Sequence, residues 1–193
     1  MARTILVPEP GGALTDHWQS WWSHVDPGAK IVGRAGDTSL RYTVLADAIA
    51  DVASADPDTF LVAHGVSCAF VARLLSGRVN LGIAGVLFVA PTNLSGKDPH
   101  ARLFGPPLEE LNMPTTVVAS RTDPALDIDA AERLAAHWGS TFVDIGDAGH
   151  IDAASGFGPW PDGIALRDDL VTRARRYVRA SLLGEVSAQR WAF

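Results

Sequence analysis

An open, doubly wound α/β sheet of about six mostly parallel strands is the fold class this sequence predicts, on three observations. Short apolar runs alternate with segments of helical period along the chain, the pattern of repeated βα units. Those runs are apolar on both faces, as strands covered on both sides by helices must be. At 193 residues the chain is long enough for one well-buried domain spanning 1–193, and no internal repeat or low-complexity tract divides it.

The elements follow in order. Thr4–Pro8 is the first strand, built on Ile5, Leu6 and Val7. Thr15–His24 is the first helix, with Thr15 and Asp16 as cap candidates and Trp18, Trp21 and Trp22 spaced as a mostly buried face. Lys30–Arg34 is the second strand and Tyr42–Ala53 the second helix. Thr59–His64 is a third strand that runs almost directly into the helix Cys68–Leu75. Ala84–Ala90 and Thr115–Ser120 are the fourth and fifth strands. The helix Ile128–His137 carries Asp129 and Glu132 near its positive end. Thr141–Ile145 completes the sheet, and Ala165–Leu182 is the last helix. Right-handed crossovers then give the spatial order 2-1-3-4-5-6, and a site is expected outside the carboxyl ends of the strands.

Composition narrows the partners. Apolar residues are 47% of the chain and charged residues 20%, ordinary for a globular protein. A net charge of -6 argues against a nucleic-acid partner, and no apolar run is long enough for a membrane span. The expected partner is a small-molecule substrate. The lone Cys68 cannot form an internal disulfide and reads as a small buried hydrophobe, so a reducing, cytoplasmic setting is expected. No Cys/His spacing resembles a zinc site, so neither a metal nor another cofactor is expected. The segment Pro91–Pro107 is long and rich in Pro, Gly and polar residues, which fits a lid or a plain surface excursion equally. Trp191 and Phe193 at the terminus dock on the body or on a second subunit, which leaves a homodimer open.

The chemistry-bearing segment is Leu61-Val62-Ala63-His64-Gly65-Val66-Ser67-Cys68-Ala69. A sharp strand-to-helix turn of this kind lifts a nucleophilic serine above a sheet, but here Gly65 stands at its centre. Downstream, Asp123 and His150 follow successive strands, where an orienting carboxylate and a base belong.

At these residues the chain resembles the small single-domain α/β-hydrolases of the retinoblastoma-binding-protein-nine type and their bacterial relatives. The matching segments are Ile5-Leu6-Val7-Pro8, Asp16-His17-Trp18-Gln19-Ser20, Leu61-Val62-Ala63-His64 and Ala119-Ser120-Arg121-Thr122-Asp123-Pro124. The longest runs from Ala148-Gly149-His150-Ile151-Asp152 through Gly158-Pro159-Trp160-Pro161. The resemblance covers nearly the whole chain and implies an α/β-hydrolase fold without a cap domain.

Three departures bear on activity. The family's strand ends His-Ser-Leu-Gly-Cys, whereas this one reads His64-Gly65-Val66-Ser67-Cys68, with glycine on the nucleophile's position. The loop after the first strand has Pro10 at the position whose amide would serve an oxyanion, and proline has no N–H to give. Glu9 stands where the family has glycine, and an acid there opposes an oxyanion.

Three functional readings remain open. In the first, His150 oriented by Asp123 works as general acid or base on a small molecule without a covalent serine, by elimination, isomerisation, cyclisation or water activation. In the second, Ser67 is the nucleophile of an ordinary esterase. In the third, the chain is an inactive hydrolase-like binding module. Around His150 and Asp123, the residues expected to meet substrate are Pro10, Gly65, Val66, Trp18 and Trp160. Glu9 is either a further acid–base group or a solvated loop residue.

Overall fold

The computed structural model describes residues 2–9, 15–32, 42–54, 58–77, 81–92, 107 and 109–182. In chain order the elements are β1 (Arg3–Val7), α1 (Trp18–Val25), β2 (Ala29–Ile31), α2 (Tyr42–Ser54), β3 (Thr59–His64), α3 (Val66–Gly77) and β4 (Ile83–Val89). They continue with β5 (Thr115–Ala119), α4 (Ile128–Trp138), β6 (Thr141–Asp144) and α5 (Pro161–Leu182). The six strands form one sheet of order β2-β1-β3-β4-β5-β6, with every neighbouring pair parallel.

Side-chain alternation splits the core into two layers. Ile5, Val7, Leu61, Ala63, Val86, Phe88 and Val117 face Leu45 and Ile49 of α2, Val71 and Leu74 of α3, and Trp138 of α4. Leu6, Phe60, Val62, Leu87, Val89 and Val118 face Trp18 and Trp22 of α1 and Leu170 and Ala174 of α5. Both faces are therefore covered, which is why β3 and β5 carry apolar residues on both faces and are buried throughout. Strand β6 closes the edge and is only half covered.

Several boundaries differ from expectation. Helix α1 starts at Trp18, and its cap is His17 rather than Thr15 or Asp16: the imidazole Nδ1 accepts from the Gln19 N–H at 3.2 Å. Helix α3 starts at Val66, not Cys68, because a single residue makes the turn from β3. Helix α5 starts at Pro161, ahead of Ala165, since proline's fixed φ suits a first helical position and its missing N–H has no partner to lose there. The expectations for Pro10, for a lid within 93–106 and for docking by Trp191 and Phe193 lie outside the described residues. No described helix is long and apolar enough to cross a membrane.

Candidate active site

Four strand ends deliver the site. β1 leads into Pro8 and Glu9, β3 into Gly65, β5 into Ser120 to Asp123, and β6 into the loop carrying His150. The turn after β3 is one residue long. Gly65 adopts φ +56°, its N–H continues the sheet by donating to Val89 O, and its carbonyl accepts from Cys68 N. An L side chain resists this left-handed conformation, and a second constraint acts as well. A Cβ built on Gly65 would lie 1.6 Å from Glu9 Oε1 and 2.1 Å from Glu9 Cδ. The Glu9 carboxyl group fills the space that a side chain at the elbow would take.

Glu9 Oε1 accepts from the Val66 N–H at 3.0 Å and lies 3.4 Å from His150 Nε2. On its other side the imidazole meets Asp123, with Nδ1 2.9 Å from Oδ1 and 3.0 Å from Oδ2. Asp123 is almost fully enclosed, its side chain 3% exposed against 15% for His150 and 32% for Glu9. It is also pinned by the Ala125 N–H, which donates to Oδ1 at 2.8 Å. The result is an imidazole between a fixed inner carboxylate and a more accessible outer one.

Electrostatics follow from that arrangement. The hydrogen bond to Asp123, then the one to Glu9, push His150 up from 6.5 to about 10 against the opposing effect of burial. Burial alone would raise the Glu9 carboxyl, but the hydrogen bond and charge of His150 and the Val66 N–H outweigh it and hold the group at about 2. The resting pair is imidazolium and carboxylate. Two further histidine rings pack behind it, tilted or edge-on, with ring centroids 5.0 Å apart for His64 and His150 and 5.1 Å for His17 and His64. Burial lowers both of these rings, His17 to about 4, so they are neutral. His64 Nε2 lies 3.0 Å from the His150 carbonyl, which can only accept, so Nε2 carries the proton.

The loop holding His150 is over-determined by bonds that sequence reasoning did not assign. Ser120 Oγ accepts from Ala148 N, Thr122 Oγ1 from Gly149 N, and Ser155 Oγ from His150 N, at 2.9, 3.0 and 3.1 Å. Ser155 Oγ in turn donates to Asp152 Oδ1 at 2.6 Å. Gly149 has φ +55° and its missing Cβ leaves room for the Ser155 hydroxyl. Ile151 holds a left-handed φ of +51° without being glycine, a conformation that costs on the order of 1–3 kcal/mol. Its side chain is fully buried and its carbonyl accepts from Trp18 Nε1 at 2.8 Å, which keeps it there. Ser120, Thr122, Asp152 and Ser155 all stand inside the two motifs flanking Asp123 and His150; their signal was proximity to those motifs.

Three expected site residues have other places. Trp18 is fully buried and Trp160 nearly so, their rings 5.2 Å apart edge to face, with Phe157 edge-on to Trp160. They form the floor under the His150 loop rather than a wall facing substrate, because the Trp18 N–H is needed by the Ile151 carbonyl. Ser67, the alternative nucleophile, is 1% exposed and its hydroxyl donates to Pro8 O at 2.6 Å, turned to the loop that carries Glu9. Burial pushes the Cys68 thiol well up, so it is inert.

Among the described residues, Glu9, His64 and His150 each offer one ligand atom, all within 4.8 Å of one another. Around a tetrahedral metal such atoms stand about 3.3 Å apart, given bonds of roughly 2.0–2.1 Å. Glu9 Oε1 is instead committed to Val66 N–H and faces an imidazole nitrogen directly, so the arrangement is an ion pair.

Residues 4–168 match the model of the family described as serine hydrolase. No curated protein matches the chain. Among solved structures, a protein described as a YdeN-like hydrolase from Pectobacterium atrosepticum is 28% identical, with TM-score 0.77 over 89% of this chain and 91% of that one. The ydeN gene product of B. subtilis is 16% identical, with TM-score 0.66 over 89% of this chain and 100% of that one. A protein from Xanthomonas campestris assigned to the hydrolases of the alpha/beta superfamily is 12% identical, with TM-score 0.56 over 91% and 98% of the two chains. The two lower identities speak for the fold alone.

Proposed function

The chain belongs to the serine hydrolase family, and from that premise we propose that it is a bacterial relative of the retinoblastoma-binding-protein-nine type that works without a covalent serine. It acts on a small organic molecule by cofactor-free acid–base chemistry, through His150 oriented by Asp123. The observation that carries this reading is the occupant of the elbow. The space beside Gly65 holds the Glu9 carboxylate, while Ser67, two residues on, is buried and donates to Pro8 O.

In this reading Asp123 fixes the ring orientation of His150 and sustains its charge. The protonated Nε2, which faces Glu9 Oε1 at 3.4 Å, is the acid available to a developing negative charge. Once that proton is transferred, the neutral imidazole is the base for the return step. Elimination, isomerisation, cyclisation and water activation all fit such a cycle.

Two measurements test it. The purified protein should remain unlabelled by a fluorophosphonate probe. In a mixed-metabolite incubation followed by mass spectrometry, the wild type should deplete a compound that His150→Ala leaves untouched. A stable adduct on Ser67 would install the esterase reading instead. Equal depletion by wild type and His150→Ala would remove His150 from the chemistry. No depletion by either would favour a binding module.

A further inference from the structure

We propose that Glu9 is a covalent nucleophile standing in the place of the elbow side chain, and that the substrate is a small uncharged epoxide opened to a diol. The proposal rests on the reading above, in which His150 does the acid–base work.

Position is the first argument. A Cβ on Gly65 would fall 1.6 Å from Glu9 Oε1 and 2.1 Å from Glu9 Cδ, so this carboxyl group fills the space that a side chain attached at the elbow would take. It has the neighbours that a nucleophile there requires: His150 Nε2 at 3.4 Å from Oε1, with Asp123 behind the ring at 2.9 Å. It also holds the N–H of Val66, the residue directly after the elbow, whose amide in this turn serves an oxyanion. A carboxylate delivered from the β1 loop thus completes the group of three that the glycine interrupts.

The nucleophile's chemistry selects the electrophile. A carboxylate attacking an acyl group would produce an anhydride, a poor intermediate. Attack on a saturated carbon bearing a leaving group produces an ordinary ester, which water can cleave. Alkyl halides and epoxides are the two simple classes, and the proton inventory separates them. An imidazole facing a carboxylate from each ring nitrogen carries a proton on both. A departing halide needs no proton, and its departure would leave His150 still charged and unable to accept one from water. An epoxide oxygen must be protonated as its ring opens, and Nε2 supplies that proton. One cation between two carboxylates leaves the site with a net negative charge, which disfavours an anionic substrate.

The cycle balances. Oε1 stays on the Val66 N–H, and Oε2 forms a bond to one ring carbon. The carbon–oxygen ring bond breaks, its electron pair goes to oxygen, and oxygen takes the Nε2 proton. The products are a hydroxyalkyl ester of Glu9 and a neutral His150. Without its anionic partner the imidazole is a competent base. Water attacks Glu9 Cδ while His150 takes one of its protons, and the charge that develops on Oε1 is held by Val66 N–H. The intermediate collapses, and the diol oxygen leaves with the water's remaining proton. Carboxylate and imidazolium are restored.

The test is a single turnover of styrene oxide, 1,2-epoxyhexane and cyclohexene oxide in ¹⁸O-water with enzyme in excess. Heavy oxygen is expected in the peptide containing Glu9 and not in the diol. Glu9→Gln, confirmed folded by circular dichroism, should lose on the order of 10⁴-fold in diol formation. Heavy oxygen in the diol would mean direct attack by water: Glu9 would then not be the nucleophile, while the acid–base role of His150 would stand. Full diol formation by Glu9→Gln, or no diol from any of the three epoxides, overturns the proposal. Catalytic bromide release from 1-bromobutane, faster than diol release, would overturn the choice of epoxide. Diol formation undiminished in His150→Ala would instead break the functional reading on which the proposal rests.

Discussion

Two cations in this protein are each held between two carboxylates, one at either end of the sheet, and they differ in what is free to move. Arg167 on α5 pairs with Asp26 at 2.8 Å and with Asp168 at 2.7 Å, and Nη1 donates to Thr4 Oγ1. Its guanidinium also lies 5.9 Å from the centre of the Trp22 ring. These contacts tie α5 to β1 and to the turn before β2. His150 pairs with Asp123 at 2.9 Å and Glu9 at 3.4 Å. A guanidinium keeps its proton at any working pH, whereas an imidazole can give its proton up and take it back. The Arg167 partners lie on a helix and a tight turn, while one His150 partner lies on a loop facing the empty side of a glycine. In the proposed function the same electrostatic motif is a staple at the amino edge and a reactive group at the carboxyl edge. The titratable cation and the accessible outer carboxylate make the difference.

Truncating each cation should separate the two roles most widely. Arg167→Ala leaves Asp26 without its partner at a largely buried position and should cost about 3–5 kcal/mol in urea unfolding. His150→Ala should lower turnover by about 10²–10⁴-fold. Arg167→Ala should leave turnover per folded molecule unchanged, while the carboxylate left behind keeps a backbone N–H in both variants, that of Ala125 for Asp123 and that of Gly28 for Asp26. If Arg167→Ala loses turnover as His150→Ala does, the two cations do not differ in role.

Gly65→Ala probes the outer carboxylate without touching a charge. The added Cβ would push the Glu9 carboxyl out of its place, since a flexible side-chain end gives way before backbone does. The forced φ of +56° adds roughly 1–2 kcal/mol. The expected outcome is a modest drop in melting temperature with a loss of turnover close to that of removing the Glu9 carboxylate. Unchanged kinetics would show that the position of Glu9 is incidental.

The pH dependence of stability should carry a signature of the carboxyl-edge pair. Folding raises His150 from 6.5 to about 10, so its contribution is complete below about 6.5 and lost as pH climbs through about 10. Folding lowers Glu9 from 4.5 to about 2, so its contribution is present above about 4.5 and lost as pH falls through about 2. Melting temperature should therefore decline from pH 6.5 toward about 10, and His150→Ala should flatten that decline. An identical slope in His150→Ala would assign the effect to other groups.

The smallest effect belongs to Ser67→Ala, which removes one buried hydrogen bond to Pro8 O and should cost about 1 kcal/mol with most turnover retained. A collapse of turnover without a matching loss of stability would contradict the place assigned to this serine.

Much of this arrangement was legible before any coordinates. Strand β3 occupies the range its apolar run predicts, and the sheet order follows from right-handed crossovers. Asp123 and His150 were readable as neighbours because each follows a strand and adjacent parallel strands end side by side. The start of α3 was not, because only the positive φ of Gly65 lets a helix begin at the next residue. Trp18 looked like a pocket wall because helical spacing tells which residues share a face, not which face is covered. The carbonyl of Ile151, which claims its indole N–H, lies 133 residues away.

The amino-acid sequence by itself determined the periodicities, and with them the strands, the helices and the two-sided core, since these depend on residues a few positions apart. It also determined that the elbow has no side chain of its own. What that absence means was decided only by tertiary structure. β1 lies beside β3 in register, Val7 opposite Ala63, and so the residues just beyond each strand meet. This neighbourhood brings the carboxylate of Glu9 onto the amide of Val66, 57 residues away, and turns Ser67 toward Pro8. No local pattern encodes such a meeting. It comes from strand order and register, which are set by how the whole sheet buries its two faces.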